Sequence, residues 1–195
     1  MFDFIPCAAG CGRAAISGSS ICAVHAADSR EEAGRIIREI GSLRTVKDLS
    51  ATELYFEKED FSQRHYYCCN FSKTVFRNCN FSGSLFRMTF FDFASFEGCD
   101  FSKSDIQFAS FGGADLRNCN FEGSELVHVN YGGAVISDCC FNVSNLYNSR
   151  FIQSKIGNTT FIDCNLKKTY FIQTTKEDVS FRSSNLAESV MEIEE

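Results

Sequence analysis

Residues 71–101 read FSKTV FRNCN FSGSL FRMTF FDFAS FEGCD F, with a phenylalanine at every fifth position. The beat continues in both directions without insertion or deletion. It runs back through Tyr66 and Phe61 to Phe56. It runs on through Ile106, Phe111, Leu116, Phe121, Leu126, Tyr131, Ile136, Phe141, Leu146, Phe151, Ile156, Phe161, Leu166 and Phe171. After one miss at Lys176 it resumes at Phe181, Leu186 and Met191. A straight strand returns to one face every two residues and a helix every 3.6. A period of five fits neither, so each unit must hold a short extended piece and then a bend. Two positions before each large residue stands a small one, as at Cys69, Thr74, Cys79, Ser84, Thr89 and Ala94. Residues two apart on an extended chain share a side, so the large centre and its small partner both point inward. The other three positions are mostly Asn, Asp, Ser, Gly, Lys, Arg and Glu, which bend the chain or face water.

A longer step shows how many bends close one coil. Phe61, Phe81, Phe101, Phe121, Phe141, Phe161 and Phe181 are all phenylalanine, and cysteine recurs at 79, 99, 119 and 139. Twenty residues therefore make one coil of four sides. Stacking at the strand spacing of ~4.8 Å gives about seven coils and a rod roughly 30 Å long. Its phenylalanines form ladders suited to offset stacking. Such a solenoid is stabilised by contacts between neighbouring coils rather than by a globular centre.

Units such as Cys79-Asn80-Phe81-Ser82-Gly83 and Ala114-Asp115-Leu116-Arg117-Asn118 resemble those of the pentapeptide repeat family, and the resemblance covers residues 56–191. It implies an all-β solenoid, specifically a right-handed quadrilateral β-helix. It also implies a binding role, since some members of the family are thought to imitate duplex DNA and bind DNA gyrase. Three segments are expected: a zinc-knuckle module at 1–27, a helical cap at 28–55 and the β-helix at 56–193.

The first segment carries Cys7-x3-Cys11-x10-Cys22-x2-His25. Three thiolates and one imidazole make a tetrahedral zinc set with no open position, so the expected zinc is structural rather than catalytic. Gly10 and Gly12 flank the second cysteine, where the knuckle turns tightly. Ser29-Arg30-Glu31-Glu32 reads as a capping box that starts a helix. Ala33, Ile36, Ile40 and Leu43 follow on one face, with Ile37 beside them. That face can cover the open first coil, as a solenoid cap must. A second short helix is expected from Ser50 to Phe56.

The remaining eight of the eleven cysteines lie in the repeats, six of them (Cys69, Cys79, Cys99, Cys119, Cys139, Cys164) at the small inward position. Buried free cysteine behaves as a small hydrophobe, so these read as reduced thiols. A cytoplasmic, bacterial protein is expected. Asp3 stands where a signal peptide carries basic residues, and no apolar run reaches the ~20 residues of a membrane span. No phosphate loop or nucleophile elbow is present, so no enzyme is expected. His65 and His128 stand singly at outward positions.

Binding surfaces are the better search. The formal net charge is −6, and residues 56–195 hold 18 acidic and 13 basic side chains. A DNA mimic needs a dense acidic stripe. Here the acids are scattered and interrupted by Lys103, Arg117, Arg150, Lys167 and Lys168. DNA gyrase therefore stands as an alternative partner rather than the favoured one, and nucleic acid is not expected without a basic stripe. One side is apolar. Phe90, Phe93, Ile152, Tyr170, Ile172, Val190 and Ile193 flank Gly112, Gly113, Gly132 and Gly133. A glycine floor between apolar rims marks an interface for a protein partner or for a second copy in a homodimer. The expected role is a protein–protein interaction scaffold. Alternatives are a gyrase or topoisomerase modulator and a zinc- or thiol-based regulator.

Overall fold

The computed structural model describes residues 4–191. A 13-residue helix, α1 (Ser29–Gly41), precedes twelve short strands. Five form one parallel sheet: β1 (Thr45–Lys47), β3 (His65–Tyr67), β5 (Leu85–Arg87), β7 (Asp105–Gln107) and β9 (Glu125–Val127). Seven form a second: β2 (Tyr55–Glu57), β4 (Val75–Arg77), β6 (Ser95–Glu97), β8 (Asp115–Arg117), β10 (Val135–Ser137), β11 (Lys155–Gly157) and β12 (Thr175–Glu177). Partners are twenty residues apart, as in Phe56↔Phe76 and Phe76↔Phe96. The two remaining sides are joined by single parallel bridges such as Asn80↔Asp100 and Asn130↔Arg150. The chain is thus a four-sided β-solenoid, as its period requires.

Each beat residue from Phe56 to Phe171 is buried. Rings from Phe61 to Phe181 stack along one column with centroids 4.6–5.2 Å apart. Neighbouring columns meet edge to face, as at Phe76 and Phe81 (5.2 Å, 80°). Both arrangements suit the ring quadrupole. The small inward residues do more than save space. The Ser124 hydroxyl donates to the Phe101 carbonyl at 2.8 Å and Thr169 to Leu146 at 2.8 Å, each reaching one coil back. The Cys79 and Cys99 thiols make the same contact with Phe56 and Phe76, at 3.6 and 3.5 Å. Cysteine here substitutes for serine as a weaker donor. Two residues after each centre the backbone turns through the left-handed region, as at Asn78 (φ 50°) and Asn118 (φ 51°).

Three expectations change. The rod begins ten residues before Phe56, because β1 pairs with β3 and places Val46 and Ala51 on the beat, both buried. The expected helix from Ser50 to Phe56 is absent. Ser50 bridges to Asn70 and the stretch enters β2. Helix α1 is capped by Asp28, not Ser29: the Asp28 carboxylate accepts from the Arg30 and Glu31 amides at 2.8 and 3.3 Å. The helix ends at Gly41, so Ala33, Ile36 and Ile40 are buried while Leu43 lies beyond it and is exposed. At Lys176 the register is kept, as the unbroken spacing requires: β12 pairs with β11 and sets Lys176 opposite Ile156. It is exposed on the last strand of its sheet among the described residues, where a lysine discourages further pairing. Its ammonium donates to Thr174 O at 3.3 Å and lies 5.8 Å from the Phe171 ring centroid.

Candidate metal centre and binding surface

The knuckle is assembled by backbone bonds that bring its two halves together. Gly10 N–H donates to Cys7 O at 2.9 Å, and Gly10 and Gly12 take φ of 69° and 76°. A side chain at such angles is strained, so glycine suits both turns. His25 and Ala26 N–H both donate to Cys22 O at 3.0 Å, which curls His25 back toward Cys22. Ala8 N–H donates to Ser20 O at 2.8 Å and ties one half to the other. The four expected residues converge: ligand atoms of Cys7, Cys11, Cys22 and His25 all lie within 4.8 Å of one another. Cys11 Sγ is 3.7 Å from Cys22 Sγ, and His25 Nδ1 is 3.5 Å from Cys7 Sγ and 3.4 Å from Cys22 Sγ. Such a set can hold a metal ion.

The electrostatics favour anionic sulfur at Cys7 and Cys11. The Arg13 backbone N–H and guanidinium lower the Cys11 thiol to about 6. The Cys22 backbone N–H, 3.3 Å from Cys7 Sγ, lowers Cys7. Burial raises Cys22, and the neighbouring thiols raise His25. Thiolate is the form that ligates metal.

The rod's apolar surface differs from its sequence expectation. Phe93 is 67 % exposed, but its ring lies against Gly113, where a Cβ would stand 2.7 Å from two ring atoms. Asp92 similarly crowds Gly112, and Asn130 crowds Gly132. Gly133 alone of the four is open, with no side chain within 4 Å of a built Cβ. Phe90, Ile152, Tyr170, Ile172 and Val190 are only half-exposed, and Ile193 lies outside the described residues. Among the described residues of the rod, the exposed large apolar groups are instead Tyr55 (43 %), Met88 (47 %), Phe93, Phe108 (57 %), Val135 (42 %) and Val143 (60 %). Met88, Phe93, Phe108 and Val143 occupy left-handed corners, with φ of 51°, 57°, 55° and 59°. Met88 and Phe93 bound the side centred on Phe91, and Phe108 follows Met88 one coil later. Its ring stacks on His128 at 4.8 Å. The sequence carried a signal for these positions: the second residue after a centre is mostly Gly, Asn, Asp, Lys or Gln, and a large apolar residue there stands out.

A family model described as Pentapeptide repeats (8 copies) matches residues 67–102, 91–123 and 104–142. Among solved structures, the chain is similar to HetL, a pentapeptide repeat protein involved in heterocyst differentiation regulation from Nostoc sp. strain PCC 7120. The TM-score is 0.40 at 13% identity, over 81% of this chain and 96% of that one. It is similar to QnrB1, a plasmid-mediated fluoroquinolone resistance protein, with TM-score 0.32 at 14% identity, over 70% and 81%. It is also similar to a pentapeptide repeat protein from the Arabidopsis thaliana thylakoid lumen, with TM-score 0.28 at 25% identity, over 49% and 63%. No curated protein matches the sequence.

Proposed function

Because this chain belongs to the pentapeptide repeat family, we propose that it is a non-enzymatic scaffold for protein–protein interaction whose N-terminal knuckle holds one structural zinc. The observation that carries the scaffold reading is the trio Met88, Phe93 and Phe108. Left-handed backbone is costly for bulky side chains, and large apolar groups exposed to water contribute nothing to the rod's core. Three of them around one side support a surface that another protein covers. A cytoplasmic location belongs to the same reading, supported by eleven free thiols in a chain that would otherwise invite oxidation.

The zinc reading rests on shape. With Zn–S near 2.3 Å and Zn–N near 2.0 Å, a tetrahedron has S···S edges of about 3.8 Å and S···N edges of about 3.5 Å. The edges at Cys11–Cys22, Cys7–His25 and Cys22–His25 are 3.7, 3.5 and 3.4 Å. His25 Nδ1 is then the ligating nitrogen. Zinc would neutralise the clustered thiolates and lock two turns together. Duplex mimicry is less well supported, because several acids of the rod are paired. Arg77 meets Glu97 at 3.2 Å, Arg117 meets Asp115 at 2.8 Å and Lys167 meets Glu188 at 3.4 Å.

The test is affinity capture from an extract of the source cells with two variants beside the natural chain. Met88→Glu with Phe93→Glu and Phe108→Glu should lose a captured partner while zinc content and melting stay the same. Ile152→Glu with Ile172→Glu, at half-exposed positions, should retain most of it. Equal capture by all three chains would sink the surface assignment.

A further inference from the structure

The first coil of a solenoid has no coil before it, so its outward-facing backbone groups lack their usual partners. The rod shows what those partners are. Asn70 N–H donates to Leu49 O at 2.7 Å, and Asn70 O accepts from Ala51 N–H at 2.9 Å. The same pair recurs one coil on, where Phe90 N–H donates to Cys69 O and Phe90 O accepts from Phe71 N–H. Ser50 occupies this place in the first coil. Its two backbone groups are satisfied by a single residue of the knuckle. Ser17 N–H donates to Ser50 O at 2.8 Å, and Ser50 N–H donates to Ser17 Oγ at 2.7 Å. Ser17 therefore stands in for the missing coil, with its hydroxyl replacing a carbonyl.

Ser17 lies in the loop between Cys11 and Cys22, the two ligand-bearing turns. Its neighbour Ile16 is buried in the rod's own core cluster, together with Ala23. Arg35 of α1 donates to Ser17 O. Gly18, at φ 73°, leaves room for the Arg35 guanidinium, which a Cβ there would approach to 2.6 Å. Arg13, next to the turn that carries Cys11, pairs with Glu53 of the first coil at 3.2 Å. Besides these anchors, the loop is tied to both ligand-bearing turns, since Ala8 N–H donates to Ser20 O at 2.8 Å and Ile16 N–H to Ile21 O at 3.0 Å, so closing the turns tightens the segment that carries Ser17.

We propose that metal binding at Cys7, Cys11, Cys22 and His25 closes the rod's N-terminal edge by holding Ser17 on Ser50. It extends the zinc reading, on which it rests, from a structural ion to a latch. Metal loss releases Ser17 and uncovers an unpaired strand edge on the side through Ser50. Such an edge pairs readily with other chains, so metal occupancy sets whether this end of the rod is sealed.

The experiment is hydrogen exchange on the full-length chain, with zinc and after its removal by a chelator, beside Ser17→Ala. Zinc content is measured in parallel. The Phe101 amide, bonded to Asn120 O at 2.7 Å in mid-rod, serves as the internal control. Losing one hydrogen bond should speed Ser50 exchange at least about fivefold on zinc removal, with Phe101 unchanged. Ser17→Ala should keep one zinc, exchange fast at Ser50 from the start, and show no further change on chelation. If zinc binds and leaves but Ser50 exchange does not respond, the latch is wrong and the zinc reading stands. If chelation speeds Ser50 equally in Ser17→Ala, the coupling does not run through Ser17 and the latch is overturned. If no zinc binds at all, both the zinc reading and the latch fall.

Discussion

The rod and the knuckle are ordered by opposite means. In the rod every coil repeats the same contacts, and a centre such as Phe101 touches Phe81 and Phe121 at 4.6 and 4.8 Å while meeting neighbours edge to face. No bond is unique to one position, because the coils on either side carry copies of it. In the knuckle nothing repeats. Two turns, each built on a few backbone bonds, bring the ligand atoms of Cys7, Cys11, Cys22 and His25 within 4.8 Å of one another. Repetition spreads stability over many equal parts, whereas the proposed ligation would concentrate it in one place.

The largest effect that would test this contrast is in mid-rod. Phe101→Ala empties a buried ring site within a continuous ladder and should cost about 3–5 kcal/mol. Thermal or denaturant unfolding of the whole chain would measure it. A loss below about 1 kcal/mol would mean that adjoining rings collapse into the gap and that the ladder is not close-packed. Cys22→Ser should separate the regions instead. It should abolish zinc binding and admit trypsin at the exposed Arg13, while rod unfolding moves far less than in Phe101→Ala. Equal losses of stability in the two variants would show that knuckle and rod unfold as one unit.

A smaller change of opposite sign lies inside the ladder. The Tyr131 hydroxyl is buried with no hydrogen-bond partner among the described residues, whereas Tyr66 donates to Phe61 O at 3.0 Å. An unsatisfied buried hydroxyl is destabilising, so Tyr131→Phe should stabilise the rod by about 1 kcal/mol. Tyr66→Phe should not. A loss of stability in Tyr131→Phe would mean that the hydroxyl has a partner.

The same contrast explains what could be read from the sequence. Repetition is visible without coordinates, so the five- and twenty-residue steps gave the four sides, the inward centres and the stacking order. The spacing of Cys7, Cys11, Cys22 and His25 was equally plain, and the four residues do converge. What escaped was local. At the first coil the sizes reverse: Leu49 and Leu54 are large where small partners are usual, and Ala51 is small where a large centre is usual. That reversal fits a coil packed against α1, but it hid ten residues of the rod behind an expected helix. The hydroxyl and thiol bonds to the preceding coil span 23 residues and leave no periodic mark of their own. Lys176 is a miss only in side-chain type, and the backbone ladder it belongs to keeps its register with β11. The docking of Ser17 on Ser50 depends on how a non-repeating loop folds over the rod, and no spacing rule encodes it.

The finest test uses one residue type in both regions. In the zinc-free chain Cys11 is held near 6 by Arg13, while burial pushes Cys69 up to about 12 from an ordinary value of 9.0. The signs are opposite. Between about 6 and 9 the folded chain carries Cys11 as thiolate while the unfolded chain keeps its proton. The contribution of Cys11 is therefore complete above 9 and lost as pH falls through 6. Cys69 stays protonated in the folded rod above 9 while the unfolded thiol ionises, so its contribution declines as pH rises past 9. Alkylation followed by mass spectrometry should give a midpoint near pH 6 at Cys11 and no reaction at Cys69 until the rod opens. Reaction of Cys69 alongside Cys11 at neutral pH would mean that the inward thiols are accessible and that the rod's interior is less well sealed than its ladders imply.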